Sequence, residues 1–469
     1  MKRHGVIYPV RLSFIIALAI CLNGSYGQSL QISGDCTWQA GVSKSKITPE
    51  GELWMAGYAF RNRPTRDVRH DLWAKALALR DCEGNLGVMV SLDVVGLPKY
   101  ILDKVYDKVL RRYDISRGQL MINSSHTHSG PFLYDPFRPQ YNEALVGDLL
   151  EDAIEYAEIL ADIISETIGT AIGSLQPARL YSGQGMVNFQ VNRRNNTESK
   201  IRTLTELRGP NDYSVPVLKV ENKEGEIKAL LFSYACHATV LSDYQWSGDY
   251  PGVAQMELEK SFPGAVALFF QGCGADQNPI PRGSPVLAEK YGRMLAVAVE
   301  YTLPEDMEEL EPGLYFDYNE VDLKLQTPPD KKQLEAELAE GPMFKKFWAR
   351  HLLDQLESEG KLIESYPYPI QLWKLGNQTI VGLAGEVVID YAIQIKRMLG
   401  QNTFVFGYCS EGNLSYMPSA RIILEGGYEG LTAQYYKGFP SAWSPEIEIT
   451  ILQKVMEMDQ YSDEIKVRK

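Results

Sequence analysis

Short β-rich apolar runs alternate with longer helix-like stretches along most of this chain, and that alternation limits the folds open to it. Gly87–Leu92 (GVMVSL) predicts a strand and Lys99–Tyr113 a helix. Gln119–Asn123 predicts another strand, and Glu143–Gly173 contains a long helix. The pairing repeats with Ala229–Cys236 and Gly252–Ser261, Ala265–Phe270 and Pro285–Tyr301, and Thr379–Ala384 and Val387–Leu399. Thr403–Gly407 reads as the last strand. These runs are continuously apolar, as strands covered on both faces are. The pattern predicts an α/β fold with a central, largely parallel or mixed sheet flanked by helices. Pro304–Pro369 is more polar and less regular, and predicts a helical excursion around Lys331–Glu359 or a cap over a site, without forming a separate domain.

With 45% hydrophobic and 23% charged residues in 469, the chain can bury a sizeable core, which excludes a disordered tail, a collagen-like fibre and a coiled coil. The net charge of −13 gives no general attraction for nucleic acid or an anionic membrane surface. Lys2, Arg3 and Arg11 lead into the apolar Leu12–Leu22 and then Asn23–Gly27. That order predicts a secretory signal peptide cleaved near Gly27, leaving 28–469 as a single domain. The run falls short of the roughly twenty residues that span a bilayer. No later run approaches that length, so a secreted or periplasmic chain without a transmembrane segment is expected. Cys36 and Cys82 flank two early strand-like runs and could pair if those strands are neighbours. Cys236, Cys273 and Cys409 lie in apolar runs and are expected to be buried, and no cysteine spacing matches a zinc finger.

The polar residues that stand out follow the carboxyl ends of predicted strands, where sites form in open α/β sheets. QLMINSS leads into His126-Thr127-His128, ALLFSYAC into His237, AVALFFQGCG into Asp276-Gln277-Asn278, TIVGLAG into Glu386, and TFVFGYCSEGNLS into Tyr416. Residues two apart on extended backbone share a side, so His126 and His128 can reach one ion, or one can take the ion and the other the substrate. Zinc accepts imidazole nitrogen and carboxylate oxygen, so His126, His237 and Glu386 would make a hydrolytic His₂Glu set. Each residue also has a plainer reading. The His-x-His pair suits two turn residues bonded to backbone, His237 a half-buried histidine, and Glu386 a helix N-terminus. The case rests on their convergence. No Gly-x-Ser-x-Gly elbow, GxGxxG or P-loop is present, and Cys236 and His237 point to opposite faces of a strand.

Ser125-His126-Thr127-His128-Ser129-Gly130-Pro131 resembles the His-Thr-His-Ser-Gly-Pro signature of the neutral/alkaline non-lysosomal ceramidases. The resemblance runs from about Gln39 to Trp443. It includes Lys46–Pro49, Met55–Tyr58, Asp71–Ala76, Val191–Arg193, Cys236–Thr239, Gly385-Glu386, and the pair Tyr416 and Tyr428. It covers the catalytic N-terminal domain, without the C-terminal immunoglobulin-like domain of full-length members. It implies a zinc-dependent amidohydrolase that cleaves an N-acyl amide by zinc-activated water, ceramide to sphingosine and fatty acid or a related lipid. The implied zinc ligands are His126, His237, Glu386 and Tyr416. His128, Arg193 and Tyr428 would surround the scissile carbonyl, with Asp276 as base or hydrogen-bond acceptor. Taken without the resemblance, Arg193 reads as a solvated loop arginine and Tyr428 as a turn aromatic. The family's Gly-Asp-Val-Ser-Pro-Asn motif reads here Gly274-Ala275-Asp276-Gln277-Asn278-Pro279, and the simplest alignment sets Gln277 where the family has its serine. That departure keeps two alternatives open: the same zinc site on a different amide or ester, and an inactive ligand-binding relative. The expected partner is a small molecule or lipid carrying an N-acyl amide, with transient membrane-surface contact also open.

Overall fold

Runs such as Val88–Leu92 have almost no polar face, so a strand made from them must be covered on both sides. The computed structural model describes residues 36–136, 148–203, 206–303, 307–412 and 414–468, and the predicted signal peptide lies outside them. In chain order the first elements are β1 (Trp38–Lys46), β2 (Trp73–Arg80), β3 (Leu86–Leu92), α1 (Lys99–Tyr113), β4 (Leu120–Ser124) and α2 (Asp148–Gly173). Then come β5 (Gln176–Met186), β6 (Gln190–Asn192), β7 (Ser214–Asn222), β8 (Ile227–Tyr234), α3 (Asp249–Ser261), β9 (Val266–Gln271), β10 (Gln277–Pro279) and α4 (Pro285–Thr302). The next part holds β11 (Glu308–Leu310), β12 (Leu314–Lys324), α5 (Lys331–Glu340), α6 (Met343–Glu359), β13 (Ser365–Leu375) and β14 (Gln378–Leu383). The chain closes with β15 (Glu386–Val387), α7 (Ile389–Leu399), β16 (Phe404–Phe406), β17 (Tyr416–Met417), α8 (Ala420–Glu425), α9 (Ala433–Tyr436) and α10 (Ile447–Arg468).

The expected α/β architecture with a mixed sheet is present. The large sheet has the order β4-β3-β2-β1-β5-β7-β8-β9, with β11 beside β5, and a second sheet runs β12-β13-β14-β16. Parallel pairing is confined to β3–β4, β8–β9, β14–β16 and β15–β17. All other pairs are antiparallel, so of the two forms expected, largely parallel or mixed, the sheet takes the mixed one. Connection length explains the split. The parallel pairs of both sheets are joined through α1, α3 and α7, whereas β13 and β14 are separated by only Gly376-Asn377. A two-residue turn can join only antiparallel neighbours, and a parallel crossover needs a helix. The irregular reading of Pro304–Pro369 holds for α5 and α6, but β12 and β13 are long paired strands there. β17 also follows the strand expected to be last.

Apolar side chains from both sheets, including Leu77, Met121, Leu231 and Phe270 against Trp373, Ile380 and Phe406, form a core between them. Helices α1 and α2 cover the outer face of β1–β3, and α3 and α4 cover that of β7–β9. Cys36 and Cys82 form a disulfide, and β1 and β2 are indeed neighbours. Cys236, Cys273 and Cys409 are free and buried.

His126 follows β4 and His237 follows β8, strands near opposite ends of the large sheet. They meet because the sheet curls until β9 packs against β3 and β4. Asn123 ties the two edges. Its Oδ1 accepts from Gln271 N at 2.7 Å, and its Nδ2 donates to Gln271 O at 3.2 Å and Gly407 O at 2.6 Å. One buried amide on β4 thereby pairs both backbone groups of Gln271 at the end of β9 and the Gly407 carbonyl.

Candidate metal-centred active site

The chain leaves β4 through His126, which has φ 58°. A positive φ is costly for a side chain with a Cβ and persists only where the surroundings enforce it. Here it turns the imidazole inward, where the ring lies 4.5 Å from that of Tyr408 between centroids and Nδ1 meets Val95 O at 2.5 Å. His237 follows β8 without that strain, its Nδ1 at 2.9 Å from Gly274 O. A carbonyl only accepts, so both Nδ1 atoms carry the proton, and both Nε2 atoms present a lone pair to the centre.

His126, His128 and His237 lie close enough that their ligand nitrogens are all within 4.8 Å of one another, a group able to hold a metal ion. Glu386 joins them from β15. Its Oε2 is 3.4 Å from His126 Nε2 and 3.6 Å from His237 Nε2, and it is buried with no hydrogen-bond partner. Tyr416, paired with Glu386 through β15–β17, sets its hydroxyl 3.4 Å from His237 Nε2. Ligands about 2.0–2.2 Å from a tetrahedral zinc ion stand about 3.3–3.6 Å apart, so this spacing and this donor set fit zinc. Burial pulls His126 down to about 3, only partly offset by Glu386, and lowers His237 and His128 as well. Glu386 is pushed up by burial, but His126 and His237 more than reverse this and hold it below the usual carboxylate range. The cluster is therefore a buried carboxylate among neutral imidazoles, an environment that favours a cation.

His128 differs from the other two. Its Nε2 is 3.1 Å from His126 Nε2, while its Nδ1 is buried without a partner. With a lone pair on His126 Nε2, the proton of that contact sits on His128 Nε2, and His128 Nδ1 keeps a lone pair with no partner. Arg193 reaches the cluster from the turn after β6, with Nη2 donating to Tyr416 Oη at 3.1 Å and Nε to Glu429 at 2.7 Å. Glu429, unsuspected from the sequence, is 4% exposed and also accepts from Arg194 at 2.7 Å. Tyr428 stands half exposed at the rim, its ring 5.3 Å from that of Tyr416.

Residues 38–279 match the model of the neutral/alkaline non-lysosomal ceramidase family, N-terminal part. The chain belongs to that family. Among solved structures it is similar to neutral ceramidase from Pseudomonas aeruginosa, at 20% identity and a TM-score of 0.71, over 90% of this chain and 74% of that one. A ceramidase complexed with C2 is similar at 20% identity and a TM-score of 0.70, over 90% of this chain and 75% of that one. At such identity the likeness is one of fold. A comparison with curated proteins finds no match. No helix among the described residues is long and apolar enough to cross a membrane.

The ceramidase motif around Asp276 is laid out differently from its simplest alignment. Asp276 is fully buried and lines no cavity at the site. Its Oδ1 accepts from Ile389 N at 3.0 Å at the start of α7, and its Oδ2 from Asn192 Nδ2 at 2.8 Å. Burial raises it to about 6. Its backbone oxygen accepts from Arg193 N at 2.9 Å, so it braces the turn that carries Arg193. Gln277 turns away from the cleft and donates to Pro210 O at 3.2 Å. Asn278 faces the cleft, with Oδ1 3.4 Å from Arg193 Nη1. Setting Asp276 and Pro279 against the motif's Asp and Pro puts Asn278, not Gln277, at the place of the serine. Among the described residues, no serine or cysteine lines either cavity beside the histidines.

Proposed function

We propose that this protein is an exported, zinc-dependent amidohydrolase that cleaves the N-acyl amide of ceramide or a related lipid, with 28–469 as one catalytic domain. One observation carries the reading: the unpartnered Glu386 oxygen lies 3.4 and 3.6 Å from the inward nitrogens of His126 and His237. His126, His237, Glu386 and Tyr416 would hold the ion. His128 is left out of that set because its untethered Nδ1 suits a group that changes protonation state. When bound, zinc supplies Lewis acidity, which makes water nucleophilic at neutral pH and polarises the amide carbonyl.

The protein's own groups do the rest. Arg193, held by Glu429, and Tyr428 at the rim donate to the carbonyl oxygen as charge builds on it. His128 carries a proton from the attacking water to the departing amine nitrogen. Asp276 acts as a positioning residue beneath Arg193. With no serine or cysteine facing the cluster, water is the nucleophile. Export is supported by the signal-like N-terminus and by the Cys36–Cys82 disulfide, which persists in oxidising compartments.

The test is fatty-acid release from a short-chain ceramide and from other N-acyl amides, with zinc, with chelator, and with zinc restored. Release should stop with chelator and return with zinc. His126→Ala, His237→Ala and Glu386→Ala should each lose bound zinc and activity. Full activity in a metal-free His126→Ala protein would overturn the reading.

A further inference from the structure

Two cavities of opposite character meet at the histidines, sharing Tyr58, His128, Tyr416 and Tyr428. One, of about 520 Å³, is walled mainly by apolar groups such as Trp54, Met55, Phe132 and Leu133, with Arg61, Asp135 and Lys437 also on its lining. The other, of about 700 Å³, is walled by Arg193, Asn195, Thr197, Thr239, Asn278 and Arg282 among others. Each is the size of a cavity that takes a small molecule.

The charges of the polar cleft are already matched. Arg282 makes two bonds of 2.8 Å to Glu198, Arg193 and Arg194 share Glu429, and Arg194 also reaches Glu425 at 3.0 Å. A charged ligand would find no uncompensated partner there. Uncharged hydrogen-bonding groups, however, are left over. Thr239 is 3% exposed and its hydroxyl is buried with no partner. Asn278 is 4% exposed, and with its oxygen toward Arg193 its Nδ2 turns to the cavity. Asn195 and Thr197 stand exposed along the same wall. A hydrocarbon chain laid here would strand these groups, because a buried polar group without a partner is strongly disfavoured. A ring or chain bearing several hydroxyls would satisfy them.

Resting on the reading of this site as an N-acyl amidohydrolase, we propose that its substrates are single-chain N-acyl amines whose amine half is neutral in the amide and polyhydroxylated, of amino-sugar type. The acyl chain lies in the apolar cavity and the hydroxylated half in the polar cleft. The amide between them then spans the four shared residues, beside His128. Hydrolysis adds water across the C–N bond, giving a carboxylic acid from the apolar side and the free hydroxylated amine from the polar side.

The experiment compares N-octanoylglucosamine with N-octanoylcyclohexylamine, which keeps the ring and removes the hydroxyls, and with N-octanoylsphingosine, all on the zinc-loaded full chain. We expect kcat/KM for the glucosamine amide to exceed that for the cyclohexylamine amide about 10²-fold, since sites built to hydrogen-bond a hydroxyl reject analogues lacking it. Thr239→Val and Asn278→Ala should each cut that ratio at least tenfold, mainly through KM, and Thr239→Ser should keep it. Equal or faster cleavage of the cyclohexylamine or sphingosine amide overturns the proposal. If none is cleaved, the hydrolytic reading fails by itself, and binding of the two free amines by saturation-transfer NMR decides this one. Glucosamine binding that Thr239→Val weakens supports it. Cyclohexylamine binding as tightly, or glucosamine not binding, overturns it.

Discussion

Gly57→Ala should separate proton transfer from metal binding. Gly57 has φ 96°, and a Cβ built on it would lie 2.5 Å from His128 Cγ and 2.6 Å from His128 Nδ1. Carbon atoms in ordinary contact stand about 3.5–4 Å apart, so the ring must retreat by about 1 Å. The new Cβ would also lie 2.6 Å from His128 Cβ, which no side-chain rotation moves, so the His128 backbone must give as well. That backbone is held by His128 N donating to Ala238 O at 3.1 Å and His128 O accepting from Arg61 at 2.6 Å. The imidazole is carried away from the leaving nitrogen it serves, and a displacement of about 1 Å can lower a rate about 10²-fold. The left-handed backbone adds strain of about 1–3 kcal/mol. The three atoms nearest the new methyl all belong to His128, not to the four proposed zinc donors. The expected result is one zinc per chain by mass spectrometry and kcat down about 10²-fold on an alkyl amide. A p-nitroanilide, whose leaving group needs little help from an acid, should lose much less. Loss of zinc, or an equal loss on both substrates, would refute the assignment of His128 to the leaving amine.

Glu429→Gln removes the charge that holds Arg193 and should lower kcat/KM about 10–100-fold with zinc content unchanged, as charge-assisted hydrogen bonds are worth about 1.5–3 kcal/mol. An unchanged rate with an intact fold would remove Glu429 from its positioning role. Burial lifts Asp249 from its ordinary 3.8 to about 7 in the folded chain. Its stabilising contribution is complete below pH 4 and is lost as pH rises through 7, which amounts to about 2–3 kcal/mol between pH 5 and 8. Denaturant unfolding of Asp249→Asn should show a flatter pH profile by that amount, and parallel profiles would refute it. Glu386→Gln should reduce the rise in Tm that zinc produces, because it removes the charged donor from the proposed ligand set. An undiminished rise in the variant would count against that picture.

The parts of the fold legible in the sequence are those whose burial is two-sided. β3, β4, β8, β9 and β14 are runs covered on both faces, and they show as unbroken apolar stretches followed by the chemistry-bearing residues. β12 is half-buried along most of its length and carries Asp317, Asn319, Glu320 and Asp322, so its strand character rests on pairing with β13 rather than on hydrophobicity. The same holds for β5, which is exposed at both ends and is fixed by β7. Pairing register is a non-local property, and a single sequence carries little trace of it.

The site divides along the same line. His126, His128, His237 and Glu386 were readable because each stands at the end of a buried strand, where an ionisable group needs a reason. Tyr416 was readable as the group beyond the last predicted strand, but its role as a ligand, like Arg193 and Tyr428 altogether, came through the resemblance. Glu429 was invisible, since what makes it unusual is burial between two arginines more than 230 positions away. Placement at the carboxyl ends of strands points to convergence, but the meeting itself depends on the curling of a mixed sheet closed by Asn123, which no local pattern shows. That closure places a carboxylate oxygen, a threonine hydroxyl and a histidine nitrogen in or beside the two cavities without partners. Folding alone gains nothing from such groups, for each loses its hydration and gets no bond in return. On the proposed reading, the missing partners of these three groups come from outside the chain: a cation for Glu386, a hydroxylated substrate for Thr239, and a travelling proton for His128.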